Sequence, residues 1–415
     1  MDISGKGGIK QGGASRVAAN IFYELKKRGI RTYFLGYKSD FMRNDKDAFF
    51  LAGGTAQKSA REILNKAKLN KLVSESRLGR MAYYTTYSLT GVALENAESW
   101  LAQVKPDVVL ASSIQDFVVL RKLKPYLGSA KILYVEHANA SGKYSSAFDY
   151  NIMGLTFGTG RYVGLEAARK RFFSFFDGVI ALNKEQSRNV RRYNNNVTII
   201  HSSILMSVTS AKREEVQALR RRLGIKNDDK VVLYFGRLLD AQKNVSVLIL
   251  AFKAMKMKGA KLLVVGDGRS RELYEQMARG DDRIRVISAG FDDRVLACYY
   301  SMADLYVLPS LWESFNATFI EAANFGAAVL LSSKSINEDI RERFGNALYT
   351  FDPSNANELK SKIERFFEDK KLQKKLNRLS EQIASEYSKK SQMDGYAKAL
   401  KEFYTKGKLP KVTSA

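Results

Sequence analysis

The chain has 415 residues, 45% of them hydrophobic, so it can bury a large core, and at roughly 150 residues per domain its length favours two domains. Its one cysteine, Cys298, excludes an intramolecular disulfide, and with only His137 and His201 beside it the chain lacks the ligands of a dedicated zinc cage. The 68 basic and 43 acidic side chains give a net charge of +25, which requires an anionic environment or partner.

The first predicted element is an amphipathic helix over residues 14–28, which Gly29 ends. Its apolar stripe consists of Val17, Ile21 and Leu25. Gly12 and Gly13 come directly before this helix, so an anion or a sugar can approach the backbone at its N-terminus. A helix-capping turn explains the same two glycines.

Short β-rich apolar runs then alternate with helical segments, which is the pattern of parallel sheets covered by helices. The first half of the chain has five such runs, at residues 31–35, 107–111, 131–135, 178–182 and 197–201. The second half has five more, at residues 230–235, 261–265, 284–288, 304–308 and 328–332. Each set is enough for one doubly wound sheet, so the sequence predicts an α/β fold of two Rossmann-like domains.

The boundary between the two domains is expected after His201, in the polar stretch of residues 202–213. We therefore expect an N-terminal domain at 1–203, a C-terminal domain at 204–390, and a helix and tail at 391–415 that cross back toward the N-terminal domain. From residue 356 to about 404 the pattern is helical and strongly charged, and it contains no further strand.

The turn after the strand at 230–235 contains Gly236, Arg237 and Lys243, two cations that can converge on a diphosphate. Gly266 and Gly268 form a second strand-to-helix turn, in which the glycines allow a ligand to come close. Solvated basic residues and an ordinary tight turn explain each pattern when it is taken alone.

The most specific signal is the pair Glu313 and Glu321, eight residues apart, which bracket the junction between the strand at 304–308 and the next helix. Glu313 is expected at the carboxyl end of the strand, the edge where open α/β sheets bind ligands. The amides of residues 314–317 are free donors at a helix N-terminus and suit a phosphate. A surface helix with two solvated glutamates has the same pattern.

Two further features fall in the first half of the chain. His137 follows the strand at 131–135, at the carboxyl edge that would face an interdomain cleft. A structural histidine is the alternative. Asp45 and Asp47 form a carboxylate pair in a charged loop, far from the other motifs, and we predict no metal there or elsewhere.

Together these motifs resemble the retaining family-4 glycosyltransferases of the GT-B fold, also called glycosyl transferases group 1, whose signature is a Glu, seven residues, then Glu. The resemblance spans roughly residues 10–350. It implies two Rossmann-like domains facing each other across a cleft. It also implies transfer of a sugar from a nucleotide-diphosphate sugar to an acceptor hydroxyl of a glycan, glycolipid or lipid-linked saccharide. Retention of configuration, no metal and no cofactor are expected.

The resemblance also implies a role for each matching residue. Arg237 and Lys243 would hold the donor diphosphate, Glu313 a hydroxyl of the donor sugar and Glu321 the ribose hydroxyls, while His137 would lie at the reacting sugar. The backbone near Gly290 and Phe291 would face the base. The remaining donor-site residues are Gly12, Gly13, Gly236, Gly266, Gly268, Ser314, Phe315 and Asn316.

The partner implied by the charge is not settled by the motifs. Residues 1–200 contain 31 basic and 16 acidic side chains, an excess of +15, which is more than half of the total. This excess, an amphipathic stretch at 61–81 and an aromatic loop at 144–162 suit an anionic membrane surface. Solubility and an ordinary surface helix explain them equally. The standard signatures of RNA-binding modules do not occur, so no nucleic acid is expected.

The sequence also leads to an expectation about the location of the protein and leaves two other functions open. The sequence shows neither a signal peptide nor an apolar run of about 18 residues, so we expect a cytoplasmic protein, with peripheral contact to the cytoplasmic membrane face as an option. A sugar-nucleotide epimerase and a non-catalytic nucleotide- or nucleic-acid-binding protein on the same scaffold remain as alternatives.

Overall fold

A computed structural model of the protein describes residues 13–37, 47–51, 97–112, 116–137, 165–204, 206–288, 290, 292–315 and 317–410. Several sequence predictions lie outside these residues. They are Gly12, Asp45, Phe291, Asn316 and the stretches at 61–81 and 144–162. The chain divides into two compact units, one of residues 1–200 and 393–415 and one of residues 201–392.

The first unit contains two parallel sheets. Two strands, β1 (Phe34–Tyr37) and β2 (Ala48–Leu51), pair with each other. Four others form a sheet of sequential order, in which every neighbouring pair is parallel: β3 (Val108–Ala111), β4 (Lys131–Val135), β5 (Gly178–Ala181) and β6 (Val197–Ile199). The prediction placed β1 at residues 31–35 and missed β2. Both strands have four residues, too few to show a periodicity.

The part of the first unit before residue 200 contains five described α-helices, and all but the first contribute residues to the core of the four-stranded sheet. They are α1 (Gly13–Lys27), α2 (Ala97–Val104), α3 (Asp116–Leu123), α4 (Leu165–Phe173) and α5 (Lys184–Arg191). Gly29, at φ +75°, lies in the left-handed region that commonly ends a helix, two residues beyond α1. The core of the unit is aromatic, since the buried rings of Phe117, Tyr134, Phe172 and Phe176 contact one another.

The second unit is a six-stranded sheet in which all pairs are parallel, in the order β12-β11-β10-β7-β8-β9. Its strands are β7 (Lys230–Phe235), β8 (Ala260–Val265), β9 (Ile284–Ile287), β10 (Leu305–Leu308), β11 (Ala328–Ser332) and β12 (Thr350–Phe351). The sequence prediction missed β12, which has two residues. The first and fourth strands of the unit, β7 and β10, are neighbours, which is the order of a Rossmann sheet.

The helices of the second unit alternate with its strands. They are α6 (Arg213–Arg222), α7 (Asp240–Lys243), α8 (Val245–Lys253), α9 (Arg271–Ala278), α10 (Asp293–Ser301), α11 (Ala317–Asn324), α12 (Glu338–Phe344), α13 (Ala356–Glu368) and α14 (Lys370–Glu386). The last helix, α15 (Lys389–Lys406), lies mostly in the first unit. There Asp394 pairs with Arg28 at 2.7 Å, and the Leu409 amide beyond α15 donates to Asn196 at 2.7 Å. The predicted α/β class is confirmed.

Candidate functional site

The carboxyl ends of β7 and β10 form the centre of one edge of the second sheet. β7 also pairs with β8, and β10 also pairs with β11, so the connections from these two strands lead to opposite sides of the sheet. The loops therefore diverge and leave a crevice, the position where open α/β sheets bind ligands. The turn of Gly236 to Lys243 follows β7, and the loop of residues 309–316 follows β10.

The turn after β7 is held by Asp240. The Asp240 carboxylate accepts hydrogen bonds from the backbone amide of Ser246 at 3.0 Å, its hydroxyl at 2.8 Å, and the Tyr274 hydroxyl at 2.9 Å. Asn244 adopts the left-handed conformation (φ +49°), which lets α7 end and α8 begin at the same residue. This arrangement fixes Lys243 at the end of α7.

Lys243 and Glu313 form an ion pair across the crevice. Lys243 Nζ lies 2.6 Å from Glu313 Oε1, and the two side chains are 14% and 7% exposed. Two further bonds tie the loops together, because Gln242 accepts from the Leu311 amide at 2.8 Å and donates to the Trp312 carbonyl at 3.3 Å. Two residues predicted from separate motifs therefore meet in the structure.

Arg237 contributes a cation that is not neutralised. Its side chain is exposed, and it has no ion pair with a residue that the structure describes. The turn that carries it is fixed, since the Tyr234 hydroxyl donates to the Arg237 carbonyl at 2.9 Å. Lys243 is balanced by Glu313, whereas Arg237 adds a positive charge that no described carboxylate pairs with.

The glycines of the second turn serve the packing of two loops. A Cβ at Gly266 would collide with the Gly236 carbonyl oxygen, and one at Gly268 with that of Leu238. The absent side chains let the Leu238 amide donate to the Asp267 carbonyl at 2.9 Å, and the Ser270 amide donate to the Leu238 carbonyl at 3.0 Å. Ligand approach and an ordinary tight turn were both expected for these glycines, and in the structure the loop after β7 lies directly against both.

Glu321 lies in the second turn of α11 and is 4% exposed. The Tyr300 hydroxyl donates to Glu321 Oε2 at 2.8 Å. Tyr306, on β10, places its hydroxyl 2.5 Å from Thr318 Oγ1, one turn earlier on the same helix. Two buried tyrosines therefore hold the helix face that carries Glu321.

Phe315 is buried at the junction before α11 and contacts a histidine that the motifs did not select. The His201 ring stacks on Phe315 with 5.8 Å between centroids, and the Tyr387 ring meets both edge-on at 5.5 Å. His201 Nε2 lies 2.9 Å from Asp339 Oδ1. Ser314, beside Phe315, is half-buried.

The remaining predicted residues lie elsewhere. His137 follows β4 in the first unit, and burial lowers its pKa to about 4. Its buried Nε2 has no hydrogen-bond partner among the described residues. Gly13 is the first residue of α1, and Gly290 is exposed with open space around its Cα.

Over the residues that the structure describes, no group of three or more His, Cys, Asp or Glu side chains could hold a metal ion. Asp47 is instead paired with Lys26 at 2.5 Å. No described helix is long and apolar enough to cross a membrane.

Sequence reasoning missed Tyr274, Tyr300, His201 and Asp339. Tyr274 and Tyr300 are both fully buried, and in the sequence they look like core aromatics of amphipathic helices. Asp339 follows Asn337, the N-cap of α12, so it reads as a first-turn acid. Asp339 lies 138 residues from His201 in the sequence, and only the fold brings the two side chains together.

Comparison with known proteins agrees with the motifs. Residues 215–383 match the family described as glycosyl transferases group 1. An uncharacterized glycosyltransferase of Methanocaldococcus jannaschii is 31% identical over 38% of this chain and 40% of its own. The lipopolysaccharide 1,2-N-acetylglucosaminetransferase of Salmonella typhimurium is 27% identical over 47% and 54%. The alpha-monoglucosyldiacylglycerol synthase of Acholeplasma laidlawii is 23% identical over 41% and 45%. The chain spans about half the length of the curated relatives it matches.

Solved structures resemble the chain over nearly its whole length. Anabaena HepE in complex with UDP-glucose has a TM-score of 0.68 at 15% identity, covering 95% of this chain and 97% of that one. Sucrose-phosphate synthase from Thermosynechococcus elongatus has a TM-score of 0.67 at 18% identity, covering 97% and 96%. At these identities the likeness shows the fold, and the predicted GT-B fold is confirmed. The resemblance to glycosyl transferases group 1 is confirmed over residues 215–383.

Proposed function

We propose that this protein transfers a sugar from a nucleotide-diphosphate sugar to an acceptor hydroxyl. The match of residues 215–383 to glycosyl transferases group 1 supports this proposal. The ion pair of Lys243 and Glu313 carries the proposal. It lies at the carboxyl edge of a Rossmann sheet, where hydrogen bonds tie its two loops together. Anabaena HepE, with the same fold, was solved with UDP-glucose.

The crevice offers separate groups to the two parts of such a donor. Two cations would bind the diphosphate. Arg237 is exposed and not neutralised by a described residue, and the Lys243 ammonium has three donor hydrogens. The amides at the start of α11 add positive partial charge. The Glu313 carboxylate accepts a hydrogen bond from a hydroxyl of the donor sugar, and the ion pair with Lys243 keeps that carboxylate in place.

We propose that the reaction proceeds with retention and without a metal ion. The bond between the anomeric carbon and the phosphate oxygen breaks, and both electrons go to the phosphate. The acceptor oxygen bonds to the anomeric carbon on the same face, and its proton passes to a donor phosphate oxygen. Arg237, Lys243 and the start of α11 stabilise the charge that develops on the leaving diphosphate.

The acceptor is proposed as a glycan or a lipid-linked saccharide. Two relatives are named for such products, since one acts on lipopolysaccharide and the other makes a glucosylated diacylglycerol. The basic excess of residues 1–200 suits an anionic membrane surface around a lipid acceptor. His137 is proposed to lie at the reacting sugar. Failure of liposomes with anionic lipid to retain the protein at low salt would remove the membrane part of this proposal.

The test is a panel of UDP-, GDP- and ADP-sugars without added metal, read by thermal stabilisation and by release of free sugar. We expect one nucleotide class to stabilise the wild type, and Glu321→Ala to lose that stabilisation. Glu272→Gln, an exposed glutamate of α9, is the matched control and should behave as the wild type. No response to any donor would favour a non-catalytic binding protein instead.

The stereochemical and metal proposals need two further readings of the same reaction. The anomeric configuration of the product, read from its proton coupling constants, should equal that of the donor. Turnover should survive excess EDTA. An inverted product, or turnover that EDTA abolishes and Mg²⁺ or Mn²⁺ restores, would contradict them.

A further inference from the structure

Two buried tyrosines approach the same face of α11 at successive turns. Tyr300, on α10, donates to Glu321 Oε2 at 2.8 Å. Tyr306, on β10, bonds to Thr318 Oγ1 at 2.5 Å and donates to the Phe235 carbonyl at 3.1 Å. Thr318 and Glu321 are three residues apart and therefore share one helix face. Both tyrosine rings are fully buried, but only one of the hydroxyls reaches the carboxylate.

The Tyr300 ring has little freedom to move. It stacks on Phe325 at 5.7 Å with 5° between planes, and it meets Phe235 edge-on at 5.3 Å and Tyr306 at 6.3 Å. Phe235 is the last residue of β7, directly before Gly236. The hydroxyl therefore points at Glu321 from a ring fixed by the strand that ends at the crevice.

Glu321 needs such support because its carboxylate is buried. A buried carboxylate is stable only when donors replace the water it has lost. A donor held in a rigid ring also fixes the rotation of the carboxylate, which decides where its other oxygen points. Binding groups held in place by packing and a second layer of hydrogen bonds lose less entropy when the ligand arrives.

We propose that Tyr300 is a positioning residue for the donor nucleotide, which acts by orienting the Glu321 carboxylate toward the ribose hydroxyls. The inference rests on the proposed function and on the binding of the ribose hydroxyls that the sequence resemblance implies for Glu321. Loss of the Tyr300 hydroxyl should therefore change two nucleotide affinities differently. The affinity for a nucleotide with ribose hydroxyls falls, and the affinity for the same nucleotide without them does not.

The experiment compares UDP with 2′,3′-dideoxy-UDP, and the GDP and ADP pairs in parallel, by titration calorimetry on the full chain. Tyr300→Phe keeps the ring and removes the hydroxyl. We expect it to weaken the ribonucleotide about tenfold, in the range of a hydrogen bond to a charged group, and the dideoxy form by less than about twofold. Tyr306→Phe is the matched control, because it removes a buried hydroxyl from the same helix face without touching Glu321. It should leave the ratio of the two affinities at the wild-type value.

A second variant guards against misfolding of Tyr300→Phe, which leaves a buried charge one donor short. Glu321→Ala removes both that charge and the acceptor oxygens, and the double variant Tyr300→Phe/Glu321→Ala should show the same ribose-to-dideoxy ratio as Glu321→Ala alone. An added loss of ribose preference in the double variant would mean that Tyr300 does not act through Glu321, and would overturn the inference.

The remaining outcomes separate the inference from its premise. Equal weakening of both nucleotide forms by Tyr300→Phe, no weakening of either, or the same change of ratio in Tyr306→Phe would overturn the role of Tyr300 while leaving the donor site intact. A wild type that binds no nucleoside diphosphate, or that binds the dideoxy form as well as the ribose form, would overturn the role of Glu321 and the inference with it.

Discussion

The carboxyl edges of the two large sheets differ in the ionisable groups that they hold. At the edge of β7 and β10, Lys243, Glu313 and Asp240 each have a partner within 3 Å. In the first unit, His137 Nε2, beyond β4, and Tyr396 Oη, on α15, are buried without a hydrogen-bond partner among the described residues. The edge of the second sheet therefore holds an ion pair, whereas the imidazole of His137, whose pKa is lowered by burial, is neutral.

This difference indicates which kind of ligand each edge can bind. Paired charges with a spare cation at Arg237 favour a highly charged ligand such as a diphosphate. A neutral imidazole has one donor and one acceptor nitrogen and favours an uncharged hydroxyl. Under the proposed function, we therefore expect the donor nucleotide at the second unit and a neutral sugar hydroxyl near His137.

The largest effect is expected from the ion pair. Glu313→Ala and Lys243→Ala should each lower the rate of sugar transfer at least 100-fold, because each removes a group aimed at the donor. Initial rates with the donor found in the panel measure this. Glu272→Gln serves again as the control, and near-normal turnover in either alanine variant would contradict the assignment.

The same pair should also affect stability. Lys243→Met leaves Glu313 as an unpaired charge at 7% exposure, which costs about 3–5 kcal/mol of unfolding free energy. Adding Glu313→Gln should restore much of this loss, since the double variant has no unpaired charge. Thermal midpoints of the three proteins test the point. A double variant less stable than Lys243→Met would show that the pair is not coupled.

The close approach of the loops provides the next test. Gly268→Ala should cost about 2–4 kcal/mol, because its Cβ would meet the Leu238 backbone and cannot be accommodated by moving a side chain. Gly290→Ala is the control, since nothing lies within 4 Å of its added Cβ. Equal thermal midpoints for the two variants would show that the loops do not pack as described.

The histidine of the first unit predicts a pH dependence. Its folded pKa is about 4, below the ordinary value near 6.5, so the unfolded chain binds the proton first as the pH falls. Stability is therefore lost from about pH 6.5 down to 4, and the part lost between pH 7 and pH 5 is about 2 kcal/mol. Thermal unfolding at the two pH values should show this loss in the wild type and less of it in His137→Gln. The same pH dependence in both proteins would contradict a buried neutral His137.

The smallest effect compares two buried hydroxyls. Burial and the bond to Asp240 raise the pKa of Tyr274 well above its usual range, so its hydroxyl remains a donor. Tyr274→Phe should cost about 1–2 kcal/mol and weaken donor binding a few-fold, because Asp240 then holds the Lys243 turn less firmly. Tyr396→Phe removes a hydroxyl without a described partner and should be neutral or slightly stabilising. The contrast fails if the two variants lose the same stability.

Much of this architecture follows from local patterns. Strands β4, β7 and β11 were predicted to the residue, because each is a buried apolar run bounded by glycine, serine or charged residues. Strands β2 and β12 were missed, since four and two residues show no period. The meeting of Lys243 and Glu313 follows from the rule that crevices form at the carboxyl ends of β-strands in an α/β sheet.

The supporting residues could not be predicted in the same way. Tyr300 and Tyr274 lie on apolar helix faces, and their hydroxyl partners become visible only when helices from distant segments are packed together. The role of the glycines at 266 and 268 also needed the neighbouring loop, because a Gly-x-Gly turn looks the same whether it faces a ligand or another backbone.

We expect the crevice between β7 and β10 to bind a nucleotide-diphosphate sugar, and titration calorimetry on Lys243→Met measures this binding. The donor that stabilises the wild type should lose at least tenfold in affinity for Lys243→Met. It should bind Lys256→Met, which changes an exposed lysine of the same unit, as it binds the wild type. An unchanged affinity of Lys243→Met for the donor would show that the donor binds elsewhere and would contradict a donor site in this crevice.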